Sequence, residues 1–310
     1  MSQAKNPILW SFNPFQNDPQ VLKNVVALLK LLAKQSGKAV EPVFVVSPAE
    51  ANIVLEFSVP AKERFEKVAR LESEKFLKKL AIPGLLPPTI LVENQLKLSA
   101  SAKALANYAQ KSEAYAILVG THGKSGLGRV LLGSFAETLL YQAKTPVLLV
   151  NRHLKPPKAL RHFLFASDFS KESKNVFEKF CVFLQPLRAA VTVYHSVPKP
   201  FSWATAAAKY LLKSRTLSQA QYLREVAKET SQKGEDFKLI AGANGVPCKV
   251  VLGADSADTG TSILRKARRL KVDAVGLANQ TGRWETALLG SASRGLLREG
   301  RFLIWILRVG

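Results

Sequence analysis

The residues of this 310-residue chain best suited to chemistry lie in one loop, Gly120-Thr121-His122-Gly123-Lys124-Ser125-Gly126-Leu127-Gly128-Arg129, running on to Gly133-Ser134. The loop follows an apolar strand-like segment, Ala116-Ile117-Leu118-Val119, and precedes a helical pattern. Glycines let backbone N–H groups come close to a phosphate, because no Cβ stands in the way. A helix starting near Ser134 adds unpaired N–H groups and the positive end of its dipole. Lys124 and Arg129 can add charge. His122 is either a phosphate contact or an exposed loop histidine. The loop reads equally as a plain turn with nothing bound. Ser134-Phe135-Ala136-Glu137 has the S-x-x-E form of a capping box, so the Ser134 hydroxyl is expected to serve the helix while its N–H stays available.

Other chemistries find less material. Gly123-Lys124-Ser125 ends like a Walker A loop, but that motif needs glycine at position 118, which is Leu118. The dinucleotide pattern G-x-G-x-x-G is absent at the first strand–helix turn, where Asn13 and Pro14 sit. The two cysteines, Cys181 and Cys248, build neither a disulfide scaffold nor a zinc site, and read as small buried thiols. His153, His162 and His195 show no metal-ligand spacing. No nucleophile–base set and no acid–base carboxylate pair can be assembled.

The loop is held by elements that occur twice. Ile8–Asn13 and Phe163–Asp168 are short apolar strand candidates 155 positions apart, each ahead of an amphipathic helix. In the first half Asp18 caps and Pro19 takes the first helical position, and Leu22, Val25, Val26, Leu29, Leu32 and Ala33 follow at helical spacing. In the second half Ser170 caps, and Val176, Phe177, Phe180, Cys181 and Leu184 play the same part. Strands at Pro42–Val46 and Val191–His195 come next, then Thr89–Val92 and Cys248–Leu252, helices over 100–111 and 258–270, and strands at Ala116–Val119 and Ala274–Leu277. Leu131-Leu132-Gly133-Ser134 recurs as Leu288-Leu289-Gly290-Ser291, offset by 157, and Pro146–Val150 and Leu303–Leu307 close the halves. Continuous apolar strands alternating with helices predict parallel sheets covered on both faces. The segment 201–233 reads as helical.

These landmarks together resemble the universal stress protein family, whose loop has the form G-x2-G-x9-G-(S/T). Gly120, Gly123, Gly133 and Ser134 match it, and Ala166–Ser170 and Val191–Pro198 extend the resemblance through the second half. The resemblance implies an α/β fold of two tandem Rossmann-like domains, 1–152 and 153–310, each a five-stranded parallel sheet with helices on both faces, packed about a pseudo-two-fold axis through their last strands. It also implies an adenine nucleotide, ATP with or without Mg, as the ligand. Gly120, His122, Gly123, Lys124, Gly133 and Ser134 would face the phosphates. Asn13 stands at the family's ribose-side carboxylate position, and Val45 is the adenine-side residue. Asn13 is neutral where the family has a charge, which weakens that bond. The second half keeps Asp168 but has Ala278 and Thr281 in place of two glycines, and its loop is one residue shorter. The first half is therefore the expected site and the second a structural partner. Turnover beyond slow ATP hydrolysis has no visible catalytic group.

Composition sets the outer bounds. Apolar residues make up 47% and charged residues 22%, a globular mix. The net charge is +22, from 45 Lys and Arg against 23 Asp and Glu, and the balance is 27 against 12 after Val150. Such a chain attracts polyanions, and the run Arg265, Lys266, Arg268, Arg269 and Lys271 is either their docking place or a solvated helix face. A nucleotide-free scaffold binding nucleic acid through the second half is the alternative function. No leader-like segment and no run of 18 apolar residues is seen, so a cytoplasmic protein is expected. It would be a monomer with paired halves or a homodimer, with an unknown protein partner.

Overall fold

The computed structural model describes residues 6–16, 18–48, 59–121, 133–198, 219–255, 259–279, 296 and 301–309. In chain order the first half contains β1 (Ile8–Ser11), α1 (Pro19–Ser36), β2 (Val40–Val46), α2 (Val59–Leu77), β3 (Thr89–Val92), α3 (Leu98–Lys111), β4 (Ala116–Thr121), α4 (Ser134–Gln142) and β5 (Val147–Asn151). The second half follows with β6 (His162–Ala166), α5 (Lys171–Leu184), β7 (Ala190–Pro198), α6 (Gln219–Ala243), β8 (Cys248–Asp255), α7 (Thr259–Leu270), β9 (Ala274–Asn279) and β10 (Leu303–Arg308).

The ten strands form one sheet in the order β3-β2-β1-β4-β5-β10-β9-β6-β7-β8. Each half is parallel, and the halves join through the antiparallel pair β5–β10, with Trp305 opposite Leu148. The expected two five-stranded sheets are thus present, fused edge to edge. The reason is visible in burial: every residue of β5 is buried, and so are Leu303–Leu307 of β10. An apolar edge like this needs a partner, and each half supplies one to the other. The sheet is covered on both faces. α1, α2, α5 and α6 contribute to the core on one face with Ile8, Trp10 and Trp305. α3, α4 and α7 contribute to the other with Leu9, Val43 and Ile304.

Local rules explain the helices. Asp18 accepts from the backbone N–H groups of Gln20 and Val21, Pro19 sits in the first turn, and Gly37 ends α1 at φ 68° with its N–H on the Ala33 carbonyl. The buried face of α1 is Val21, Val25, Leu28, Leu29 and Leu32, while Leu22 and Val26 are only partly covered. Ser170 caps α5 by accepting from the Ser173 N–H. Helix α6 covers 219–243; the earlier part of the predicted helical segment, 201–218, lies outside the described residues. Between the halves, Tyr115 donates to the Phe183 carbonyl and stacks on the Phe183 ring at 4.8 Å. Among the described residues no helix is long and apolar enough to cross a membrane.

Candidate functional site

The chain runs β1, β2, β3 toward one edge of the sheet, then returns to place β4 and β5 on the other side of β1. Neighbouring β1 and β4 therefore send their following loops in opposite directions, which leaves a crevice at their carboxyl ends. A cleft of about 190 Å³ lies there. β1 and its turn supply Trp10, Ser11, Phe12, Asn13 and Gln16; α1 supplies Val21, Leu22 and Val25; β2 supplies Phe44 and Val45. Val119, Gly120 and Thr121 of β4 and Gly133, Phe135 and Ala136 at the start of α4 close it.

Of the eight residues singled out from the sequence, Asn13, Val45, Gly120 and Gly133 line this one cleft. Ser134 begins α4 beside Gly133. His122, Gly123 and Lys124 lie outside the described residues, as do Arg129 and, in the second half, Thr281, Gly290 and Ser291.

The two described loop glycines differ in what they are for. A Cβ on Gly120 would sit 2.8 Å from Cγ1 of Val21, so glycine lets α1 pack against β4. Gly133 has φ −66° and ψ 147°, which any residue adopts, and a Cβ there would meet nothing within 4 Å among the described residues. Among the described residues neither backbone shape nor packing requires glycine at 133, although glycine is a favoured N-cap, and it lines the cleft at a helix N-terminus.

The capping-box expectation for Ser134 fails. The cap residue is Gly133, whose carbonyl accepts the Glu137 N–H, and Ser134 is already the first helical residue. The N-cap side chain is the one placed to reach the N2 and N3 N–H groups; Gly133 has none, and the exposed Ser134 hydroxyl does not stand in as the cap. The Ser134 carbonyl accepts from the Thr138 hydroxyl.

Asn13 is less available than its position implies. Its Oδ1 accepts the Phe15 N–H at 2.9 Å, an Asx turn that shapes the end of β1. Asp168 does the same in the second half, accepting from the Ser170 N–H at 3.0 Å and hydroxyl at 2.7 Å, so it is a turn residue. Phe15, 57% exposed, leans on Phe44 with ring centroids 6.0 Å apart.

The second half departs from the first at a residue the sequence did not flag. Phe12 donates its N–H to the Val43 carbonyl, and Ser167 donates to the Tyr194 carbonyl, so Phe44 and His195 are counterparts. Phe169 adopts φ 61° and buries its ring on the His195 imidazole, at 4.7 Å and 17° between planes, with Phe237 behind it at 5.1 Å. His195 Nδ1 lies 2.9 Å from the Ser167 carbonyl oxygen. At the corresponding turn of the first half the exposed Phe15 meets Phe44 more loosely, at 6.0 Å. A phenylalanine at positive φ carries no sequence signal, since that backbone region is mostly glycine or asparagine.

The basic run lies on α7. Lys266 holds its ammonium 5.5 Å from the centre of the Tyr194 ring, and Arg265 and Arg268 also make interactions. Among the described residues no group of His, Cys, Asp and Glu is placed to hold a metal ion.

Comparison with known proteins identifies the fold. The universal stress protein family matches residues 15–151 and again 159–308. A universal stress protein from Methanocaldococcus jannaschii is 32% identical over 103 residues, 31% of this chain and 58% of that protein; the match thus spans a little over half of its length. A universal stress protein structure from Archaeoglobus fulgidus aligns over 98% of this chain and 97% of its own, with TM-score 0.61 and 16% identity. A functionally unknown protein from Pseudomonas aeruginosa PAO1 aligns over 99% and 94%, with TM-score 0.59 and 14% identity. Shorter universal stress proteins have been solved with dAMP and with cAMP, and cover 48% and 49% of this chain at TM-scores of 0.33. The doubled α/β sheet and the two family matches lead to one conclusion: this chain belongs to the universal stress protein family, with two family domains in tandem.

Proposed function

We propose that the protein binds an adenine nucleotide, ATP with or without Mg, in the first-half cleft, and that binding regulates rather than drives turnover. The observation that carries this reading is Gly133. It is a glycine that no described residue crowds, at the mouth of a cleft and the N-cap of a helix. A close-approaching phosphate explains it, since a Cβ would stand between the ligand and the backbone N–H groups of the first turn. The cleft itself, about 190 Å³, is small beside the roughly 300 Å³ at the low end of ligand sites. It suits the base and sugar, with Val45 and Phe44 on the base side and Asn13 toward the sugar. The phosphates then follow the loop from Gly120 through His122, Gly123 and Lys124 to Gly133 and Ser134. Mg would arrive on the phosphates. The second half, 153–310 in this division, acts as a structural partner, a reading supported by Ala278 and Thr281 standing where the first half has Gly120 and Gly123.

The test is calorimetric titration with Mg·ATP, and with AMP, at moderate salt to suppress loose attraction to a +22 chain. One nucleotide per chain, lost in Gly133→Val with the protein still cooperatively folded, is the expected result. No binding by wild type rejects the nucleotide reading. Binding that is unspecific for the base and collapses with salt would instead support the polyanion scaffold.

A further inference from the structure

The turn after the first strand of each half has the same shape and a different charge. Asn13 Oδ1 accepts the Phe15 N–H at 2.9 Å, and Asp168 Oδ1 accepts the Ser170 N–H at 3.0 Å. The two residues stand 155 positions apart, the offset of the first strands. An amide and a carboxylate therefore close this turn equally well. The turn does not decide between them, so the absence of charge at Asn13 is free to serve a ligand.

The missing charge is a property of the whole first-half cleft. Among the described residues that line it, none is acidic. The sequence from 119 to 136 holds no Asp or Glu and contributes Lys124 and Arg129, whereas the aligned stretch of the second half contains Glu285. Between β1 and α1 the one acid is Asp18. It does not line the cleft: its carboxylate holds the N–H groups of Gln20 and Val21 and lies 3.7 Å from Arg152. Charge beside a ribose decides which riboses fit. A carboxylate accepts from the sugar hydroxyls, as in dinucleotide sites that take an unphosphorylated ribose. It repels a phosphate carried on those hydroxyls. At about 6 Å from a phosphate dianion, that repulsion costs about tenfold in affinity even in a water-like dielectric. A neutral amide exerts no such repulsion.

We propose that the first-half cleft accepts adenine nucleotides carrying a second phosphate on the ribose, and that Asn13 is the residue that admits them. This rests on the nucleotide reading of the cleft and names the class of nucleotide it takes. Asn13 acts by its neutrality, so the proposal concerns specificity and not the strength of any one hydrogen bond.

Calorimetric titration of the full chain at moderate salt tests it, with AMP, adenosine 2′,5′-bisphosphate and adenosine 3′,5′-bisphosphate. The three ligands differ only in the ribose phosphate. At least one bisphosphate is expected to bind as tightly as AMP or more tightly, one per chain, and the isomer bound identifies the hydroxyl that faces Asn13. Asn13→Asp should keep the turn, as Asp168 does, and weaken that bisphosphate about tenfold more than it weakens AMP. Asn13→Ser is neutral and can make a similar turn, so it should keep the wild-type preference, which separates charge from shape. Wild type that binds AMP and rejects both bisphosphates overturns the proposal and leaves the nucleotide reading standing. A bisphosphate preference that Asn13→Asp leaves unchanged is loose attraction to the +22 chain, and overturns the proposal as well. Binding of none of the three overturns both.

Discussion

Gly120 and Gly133 show how one residue type answers two demands. At Gly120 the demand is internal, since Val21 of α1 stands where a methyl group would go. Gly120→Ala should cost about 1–3 kcal/mol through overpacking, read as a lowered midpoint in urea. At Gly133 no such neighbour exists among the described residues. Gly133→Ala replaces a favoured N-cap by a poor one and should cost up to about 1 kcal/mol, while nucleotide affinity falls at least tenfold in calorimetry. Equal stability losses at the two sites would mean that Gly133 is also a packing glycine. Asn13 carries a further lesson at this scale. Its amide looked like a weakened ligand contact, but its oxygen also holds the turn after β1, so Asn13→Ala would disturb the cleft as well as any bond to a sugar.

At the scale of elements, the turn after β6 decides what the second half can do. Phe169 holds an unfavourable backbone region because its ring is enclosed by His195 and Phe237. Phe169→Ala should destabilise by about 3 kcal/mol, the usual cost of removing a buried aromatic, and leave first-half nucleotide stoichiometry at one. The cysteines report on the same layer. Burial pushes the Cys181 thiol up to about 12 and Cys248 up to about 11. Unfolded thiols ionise near about 8.5. Between those values the unfolded chain has lost protons that the folded chain keeps, so this contribution to stability is complete below about pH 8.5 and is lost as pH rises toward 11–12. Denaturant midpoints should therefore fall above pH 9, and iodoacetamide at pH 8 should spare the buried Cys181 of the folded protein while reacting slowly with the partly exposed Cys248. Rapid labelling of Cys181 would show that α5 opens locally.

At the scale of the whole molecule, the seam between β5 and β10 makes two domains one object. Leu148, fully buried opposite Trp305, is the place to cut it. Leu148→Asp buries a charge without a partner, and should lower stability by more than about 3 kcal/mol. It should also split a single calorimetric transition into two. The large pattern was legible in the sequence because repetition and alternation act over many residues: the 155 offset of the first strands, the buried strands and the Asp18-Pro19 helix start all reappear in the fold. Details fixed by one side chain against another were not legible. The capping box at Ser134 has the right letters, yet the cap falls one residue earlier, on Gly133. The glycine at 276 has no local signal either, and its reason is the Phe180 ring, 2.8 Å from where its Cβ would lie.

The pairing of Trp305 with Leu148 has one more consequence. Leu118 pairs with Leu148 in the first half and Gly276 with Trp305 in the second, so Leu148 and Trp305 are the same position in the two copies, and they meet on the pseudo-two-fold axis itself. An ancestor assembled from two identical chains would have had to place one residue against itself there. Here the two sides differ: the Trp305 ring packs on Phe180 and Phe183 of the second half, while Leu148 stays small. The joint is therefore heterotypic, and a separated half should recognise the other half in preference to itself.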